Sequence, residues 1–383
     1  VNERNQIQPD LEFITSLKKN GGSTIKKCMQ CATCSVVCTL SNEDFGFPRK
    51  QLLMAQWGLK DRLLKDPGPW LCFYCGECTK KCPRKANPGE MMMSIRRYLT
   101  SFYDITGLSK LMYRSAYWEL GILAALATAI ILLFTIPDNF GFGLLNNSDS
   151  SAFSTVTMER FAPIDVVDWG DRIMAGVLGL LLLTNAARMF SMMTKDDKIP
   201  FRFYLSQVPF FIVQGITQKR WKECNESEAT INWIRHLMLV IGYGTVFTLV
   251  VIFLPWFQVK DNSLHWTSFL GYYATVFLLT STVWMIYDRL TKRTGMHEFS
   301  HLSDWLFPIL LFLSALTGIL LHIFRISDMP LQTYYTYMIH LAIVVPMLIV
   351  EVPFGKWGHL LYRPIALYVA AVKSKAAKEL LAA

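Results

Sequence analysis

Hydrophobic and polar positions divide the chain unevenly. Up to about residue 115, apolar residues fall in short groups between charged ones, which predicts a soluble domain of short helices. After Tyr117 long apolar stretches take over, at about 118–137, 172–192, 233–256, 266–287, 303–325 and 332–354. Each approaches the roughly 20 residues that a helix needs to cross a bilayer, so six spans are expected. A further apolar segment, 201–221, is broken by Pro209 and rich in polar residues, which predicts an interfacial helix rather than a span. The first ten residues, VNERNQIQPD, lack the apolar run of a signal peptide. The expected fold is mainly α, with a helical head over 1–115 and a six-span transmembrane helix bundle over 116–383.

Composition agrees with this division. Of 383 residues, 52% are hydrophobic and only 17% charged, against roughly 25% charged in an average globular protein. Disorder and a secreted disulfide scaffold are thereby excluded. The 25 Phe, 15 Tyr and 11 Trp suit aromatic belts at the membrane interface. The net charge of +9 resides largely in loops. The first connection between spans is acidic, with Asp138, Asp149, Glu159, Asp165, Asp168 and Asp171, whereas the next carries Lys195, Lys198, Arg202, Lys219, Arg220 and Lys222. Because Lys and Arg mark the cytoplasmic side, the alternation predicts a cytoplasmic-membrane protein with both termini and the head inside. No nucleic-acid partner is needed to explain the basic charge. No internal repeat and no low-complexity tract is evident.

Eight of the nine cysteines lie in two runs, Cys28-x2-Cys31-x2-Cys34-x3-Cys38 and Cys72-x2-Cys75-x2-Cys78-x3-Cys82-Pro83; Cys224 stands apart. Thiols in the reducing cytoplasm point to metal ligation rather than disulfides. Three thiolates at intervals of three can wrap one face of a cubane, and the fourth is placed to bind the other cluster. The pattern therefore assigns one [4Fe–4S] cluster to Cys28, Cys31, Cys34 and Cys82, and the other to Cys72, Cys75, Cys78 and Cys38. Structural zinc is the alternative, although zinc sites usually pair their ligands across a longer loop. The first run lacks the trailing proline, with Thr39 in its place. Between the runs, Arg49 to Lys65 reads as one helix closed by Asp66-Pro67-Gly68.

All seven histidines lie beyond residue 230, and an ionisable residue inside a span is a functional-site hypothesis by default. Haem b takes axial histidines from facing helices without covalent attachment. Depth pairs His322 with His340 near the outer side, and His236 with His359 near the inner side. His301, at the start of the fifth span, is the rival of His236; His265 and His297 read as interfacial hydrogen-bonding groups. On a continuous sixth helix the 19 residues from His340 to His359 would cover roughly 28 Å, with Pro346 and Pro353 able to re-aim it. Glu351 is a candidate proton acceptor within that span. Lys260, Arg325 and Asp328 are outer-side candidates, and interfacial snorkelling explains the two basic ones equally well.

These residues carry a family resemblance. The head resembles the iron–sulfur C subunit of heterodisulfide reductases. The membrane half is similar to their cytochrome b subunit and, more distantly, to the nitrate reductase gamma type. The likeness lies in Trp233-Ile234-Arg235-His236, in His340-Leu341, and in Pro353-Phe354-Gly355-Lys356-Trp357-Gly358-His359. The nitrate reductase pattern carries a second histidine about three turns after the first; here none stands near Val246, and depth makes His322 the preferred substitute. A head of this kind fused to such a cytochrome resembles the C subunits of the quinone-interacting membrane-bound oxidoreductases of sulfate reducers. That resemblance implies two haem b groups, menaquinol oxidation, and flavin/iron–sulfur partner subunits that deliver electrons toward adenylylsulfate reductase. A component of another heterodisulfide reductase-like or sulfite-reducing complex, or a non-catalytic membrane anchor, are the alternatives. No G-x-G-x-x-G loop and no paired-cysteine CCG signature is present, so the chain is expected to pass electrons without acting on a terminal substrate.

Overall fold

The computed structural model describes residues 8–41, 46–136, 154–223, 229–253, 256, 264–292, 297, 300 and 302–382, and every element among them is helical. Cys224, Lys260 and His301 lie outside the described residues.

The head begins with α1, Leu11–Lys19, capped by the Asp10 carboxylate on the Phe13 amide (2.8 Å). The segment expected as one helix from Arg49 to Lys65 is two, α2 (Arg49–Gln56) and α3 (Lys60–Leu64). Gly58 separates them with φ +69°, and its missing Cβ lets the Asp10 backbone approach. A side chain there would meet both strain and a collision, so the break is local chemistry that apolar spacing does not register. The longest head helix is α4, Pro88–Tyr103, started by the Asn87 side chain.

Six described helices are long and apolar enough to cross a membrane: α5 (Ala116–Thr135), α6 (Ile164–Thr194), α9 (Ala229–Val251), α10 (Ser268–Thr291), α11 (Leu302–Ile326) and α12, whose helix Pro330–Pro346 continues through a π turn to Glu351. This is the architecture of a multi-pass membrane protein, and outward leucines, isoleucines and phenylalanines along these helices are exposed, as lipid contact requires. The helices pack in the order α9, α10, α11, α12, α5, while α6 packs on the C-terminal helix α13, His359–Ala382. The apolar segment 201–221 forms α7 (Phe201–Ser206) and α8 (Val208–Thr217), both laid against α13.

The expected continuous sixth helix is also corrected. Pro346 removes a backbone donor, the chain relaxes into the π turn Met347–Glu351, and a short 3-10 turn follows before His359 starts α13. His340 and His359 therefore sit on different helices.

Head and membrane helices share one core. Phe13, Leu52, Trp70, Met92 and Tyr103 of the head pack continuously with Met189 and Met193 of α6 and Tyr362, Ala366 and Val369 of α13. Trp70, Tyr103 and Tyr362 form an aromatic triangle with centroids 5.2–6.2 Å apart. Arg188 of α6 caps the end of α4 by donating to the Phe102 and Tyr103 carbonyls (3.0 and 3.1 Å). At the centre of the junction Arg97 is buried. Its guanidinium donates to Glu90 (2.6 Å) and to the Asn20 carbonyl (2.8 Å), and it faces Asp304 of α11 at 3.6 Å.

Removing Arg97 would leave two buried carboxylates without their cation. Arg97→Ala is expected to destabilise the fold by about 3–5 kcal/mol. Thermal unfolding in detergent, followed by tryptophan fluorescence, checks this; an unchanged midpoint would show that the pair does not hold the head in place.

Candidate functional site

The two cysteine runs adopt the same backbone. In the first, Gln30 and Ala32 have φ of +56° and +66°; in the second, Tyr74 and Gly76 stand at the same offsets with +61° and +84°. Each run then enters a one-turn helix, Thr33–Val36 or Glu77–Lys80, and the two turns pack on each other. The head thus contains a conformational repeat that residue identity hides, since only the cysteines and their spacing recur. Left-handed non-glycine residues cost of order 1 kcal/mol or more and persist where surroundings impose them, as ligand clamps do.

Each cavity in this region is walled by four cysteines. One is lined by Cys38, Cys72, Cys75 and Cys78, the other by Cys28, Cys31, Cys34 and Cys82. The fourth cysteine of each run has crossed to the other run's cavity. Burial opposes ionisation at several of these thiols. It pushes Cys38 up to about 11 and also raises Cys34, Cys72 and Cys78. Thiolates there need a compensating cation, which cluster iron supplies. Cys31 is exposed, and the Thr33 hydroxyl and backbone amide hold its thiol below the ordinary value.

Cys72 is buried and belongs to the core that the head shares with α6 and α13. Arg96, half-buried, donates to the Cys72 carbonyl and to the Pro69 carbonyl (2.5 Å), with its guanidinium 5.7 Å from the Trp70 ring. Phe73 lies under the Arg363 guanidinium of α13 (4.6 Å). Trp70, Phe73, Arg96 and Arg363 then line a cavity of about 300 Å³ together with His236 of α9 and His359 of α13. The same two histidines also line a smaller recess against α8, with Gln214 and Tyr368. The structure therefore brings His236 and His359 together from two helices, beside the residues that flank Cys72. Trp357, immediately before this turn, is locked by Tyr243 (4.1 Å) and Phe307 (5.0 Å).

The outer histidines occupy a different setting. His340 Nδ1 is hydrogen-bonded to Thr317 (2.8 Å), and its ring packs over Gly318, where a Cβ would lie 3.4 Å from Cε1. His322, one turn further along α11, is hydrogen-bonded through Nε2 to Tyr272 (2.7 Å). His265 bonds Thr267 (2.8 Å), whereas His297, read from the sequence as interfacial, is buried and lines the junction cavity. Asp328 accepts from the Val156 amide (2.8 Å), a structural bond at the loop end.

Glu351 is fully buried at the end of the π turn. Gly355 makes its placement possible, because a Cβ there would fall on the Glu351 carboxylate. Tyr113 donates to the Gly355 carbonyl (3.3 Å); burial first, then Glu119 and Glu351, push its phenol upward. Glu119 in turn accepts from Ser303 (2.6 Å). Sequence patterning isolates Glu351 alone; Arg96, Arg363, Phe73 and Tyr113 join the site only through tertiary contact.

Comparison with known proteins bears on the head. Residues 24–86, which include all eight clustered cysteines, match the model of the 4Fe-4S dicluster domain. Over 116 residues the chain is 36% identical to a protein of Archaeoglobus profundus described as like the C subunit of heterodisulfide reductase, covering 30% of this chain and 62% of that one. It is 37% identical over 76 residues to the C subunit of the H(2):CoB-CoM heterodisulfide,ferredoxin reductase of Methanothermobacter thermautotrophicus (20% and 41% covered). It is 27% identical over 86 residues to the C subunit of the ferredoxin:CoB-CoM heterodisulfide reductase of Methanosarcina mazei (22% and 53%). The chain thus spans between two fifths and about three fifths of these relatives' lengths. No solved structure matches. The head is accordingly an iron–sulfur domain related to the C subunit of heterodisulfide reductases.

Arg96 places its positive charge beside Cys72, on the Cys72 carbonyl, and none of its hydrogen bonds reaches Cys31. Arg96→Ala is expected to lower the reduction potential of one iron–sulfur centre by about 60 mV, the one-electron equivalent of a tenfold change in equilibrium, while the other centre stays put. A redox titration followed by electron paramagnetic resonance reads both centres at once; equal shifts in the two would contradict this placement.

Proposed function

We propose that the chain is the membrane electron-transfer subunit of a quinone-interacting oxidoreductase complex. On this reading it oxidises menaquinol and passes electrons through two b haems and two [4Fe–4S] clusters to flavin/iron–sulfur partner subunits, toward adenylylsulfate reductase. The observation that carries it is the junction cavity, which is lined both by His236 and His359 and by Trp70 and Phe73, the neighbours of Cys72. An electron entering at the histidines reaches a cluster ligand across a single cavity.

Bound haem and clusters supply the one-electron carriers. His236 and His359 hold the inner haem, and His340 and His322 the outer one. Thr317, bonded to His340 Nδ1, leaves Nε2 as the ligating nitrogen and sets the ring's orientation. The crossed quartets, Cys28, Cys31, Cys34 with Cys82, and Cys72, Cys75, Cys78 with Cys38, hold the two clusters. Glu351, buried beside Tyr113, accepts a proton from quinol on the inner side. The acidic connection before α6 lies outside, and the head and both termini lie in the cytoplasm. A proton acceptor and an electron acceptor then stand together where the head meets the bundle.

The purified chain should show a haem b spectrum reducible by a menaquinol analogue; its absence would sink the conduit. His359→Ala should remove one haem and His340→Ala the other. Cys38→Ser should alter only the cluster bound by Cys72, Cys75 and Cys78, and Cys82→Ser only the other. Zinc at two per chain in place of iron would overturn the cluster assignment.

A further inference from the structure

We propose that the exposed basic face around Cys28, Cys31, Cys34 and Cys82 is the electron-exit port of the head, docking a soluble redox protein whose carrier is rimmed by carboxylates. The inference rests on the reading of the chain as an electron conduit and names the surface through which that conduit discharges.

The two cysteine cavities differ in their surroundings. Cys72 is buried, and its neighbours Trp70 and Phe73 wall the junction with the membrane helices. Both cysteine cavities take their walls from the head, but no residue beside Cys28, Cys31, Cys34 or Cys82 lines the junction cavity. Cys31 is exposed, and beside it Met29 and Val36 are 64% and 84% exposed, large apolar side chains held in water next to a cluster site. The head's main packing on α6 and α13 runs through α3, α4 and Gly68–Leu71.

Charge identifies the visitor. Lys26, Lys27, Arg49, Lys81, Arg84 and Lys85 are all exposed around the cavity. The Thr24 hydroxyl, donating to the Ala86 carbonyl (2.7 Å), ties the chain before Lys26 to the chain after Lys85, so the groups form one face. Among the described residues none of the six is in an ion pair, and the neighbouring carboxylate Glu77 is turned onto Lys80 (3.1 Å). An oxidised cluster contributes roughly −2, which leaves the face strongly positive. An apolar centre inside a charged rim is the anatomy of a protein interface, and a positive rim selects a negative one and speeds its encounter. At the transfer step one electron leaves the reduced cluster, which returns to its oxidised state, and the partner's carrier gains that electron; no bond or proton moves.

The test uses the full chain in detergent with both clusters loaded and reduced by dithionite. Its oxidation is followed by stopped flow with two outer-sphere acceptors, anionic cobalt(III)–EDTA and cationic tris(phenanthroline)cobalt(III). The variant Lys26→Glu/Lys27→Glu/Arg84→Glu should slow oxidation by the anion about tenfold at low ionic strength and accelerate oxidation by the cation. Both effects should collapse at about 0.5 M salt, where the Debye length is only a few ångströms. Arg62→Glu, on α3, should leave both rates unchanged. Parent-like rates in the triple variant would overturn the port. Should that variant lose its clusters by electron paramagnetic resonance, Lys26→Gln/Lys27→Gln should show smaller changes of the same sign, and their absence would overturn it equally. If the triple variant loses binding to phosphatidylglycerol vesicles while both oxidation rates hold, the face is a lipid contact and the proposal falls. Because the clusters are reduced chemically, a failure of menaquinol analogues to reduce them counts against the quinol reading and leaves the port's test intact.

Discussion

A guanidinium withdrawn from water must take its partners with it, and the position of the head depends on this constraint. Arg97 sits on α4 with Glu90 of the same helix and Asp304 at the start of α11. An unpaired charge in that setting would cost several kcal/mol, so the pairing favours the seating in which Arg97 meets Glu90 and Asp304. Gly21, with φ +105°, lets the backbone pass against this pair where any Cβ would collide with it. Around it the aromatic triangle of Trp70, Tyr103 and Tyr362 and the methionines of α6 make the junction a core rather than a contact. Arg97 and Asp304 themselves line the cavity that His236 and His359 share with Trp70 and Phe73.

The junction also separates the two cysteine quartets by environment. The one containing Cys72 lies against Arg96 and Trp70, and burial penalises its thiols. The one containing Cys31 opens to solvent under a rim of lysine and arginine. Such a difference in dielectric surroundings and nearby charge tunes two clusters of the same type to different potentials. It gives a chain of carriers a direction without any difference in their ligands.

Much of the architecture was legible in advance because it rests on one-dimensional signals. Apolar runs of bilayer length stand out whatever their neighbours are, and all six reappear as long helices over the expected stretches. Cysteine spacing is likewise local, and the family comparison places the dicluster domain over the same residues. The misreadings came from backbone events that spacing does not register. Gly58 split a helix because the Asp10 backbone presses on it, and Pro346 turned the end of α12 into a π turn that sends His359 onto another helix. The duplication of the two cysteine loops was invisible for a related reason: Gln30 matches Tyr74 and Ala32 matches Gly76 in φ alone.

The sequence by itself determined that the chain has a cysteine-rich head, six apolar crossings and histidines confined to the second half, since each property is carried by residue type and interval. Which groups meet was decided only by the tertiary structure. Phe73 under Arg363, Arg96 on the Cys72 carbonyl, His236 facing His359, and Glu351 beside Tyr113 all join residues far apart in the chain. The physical reason is that buried polar and charged groups must be satisfied together. Their partners are chosen by the packing of whole helices, which no local pattern records.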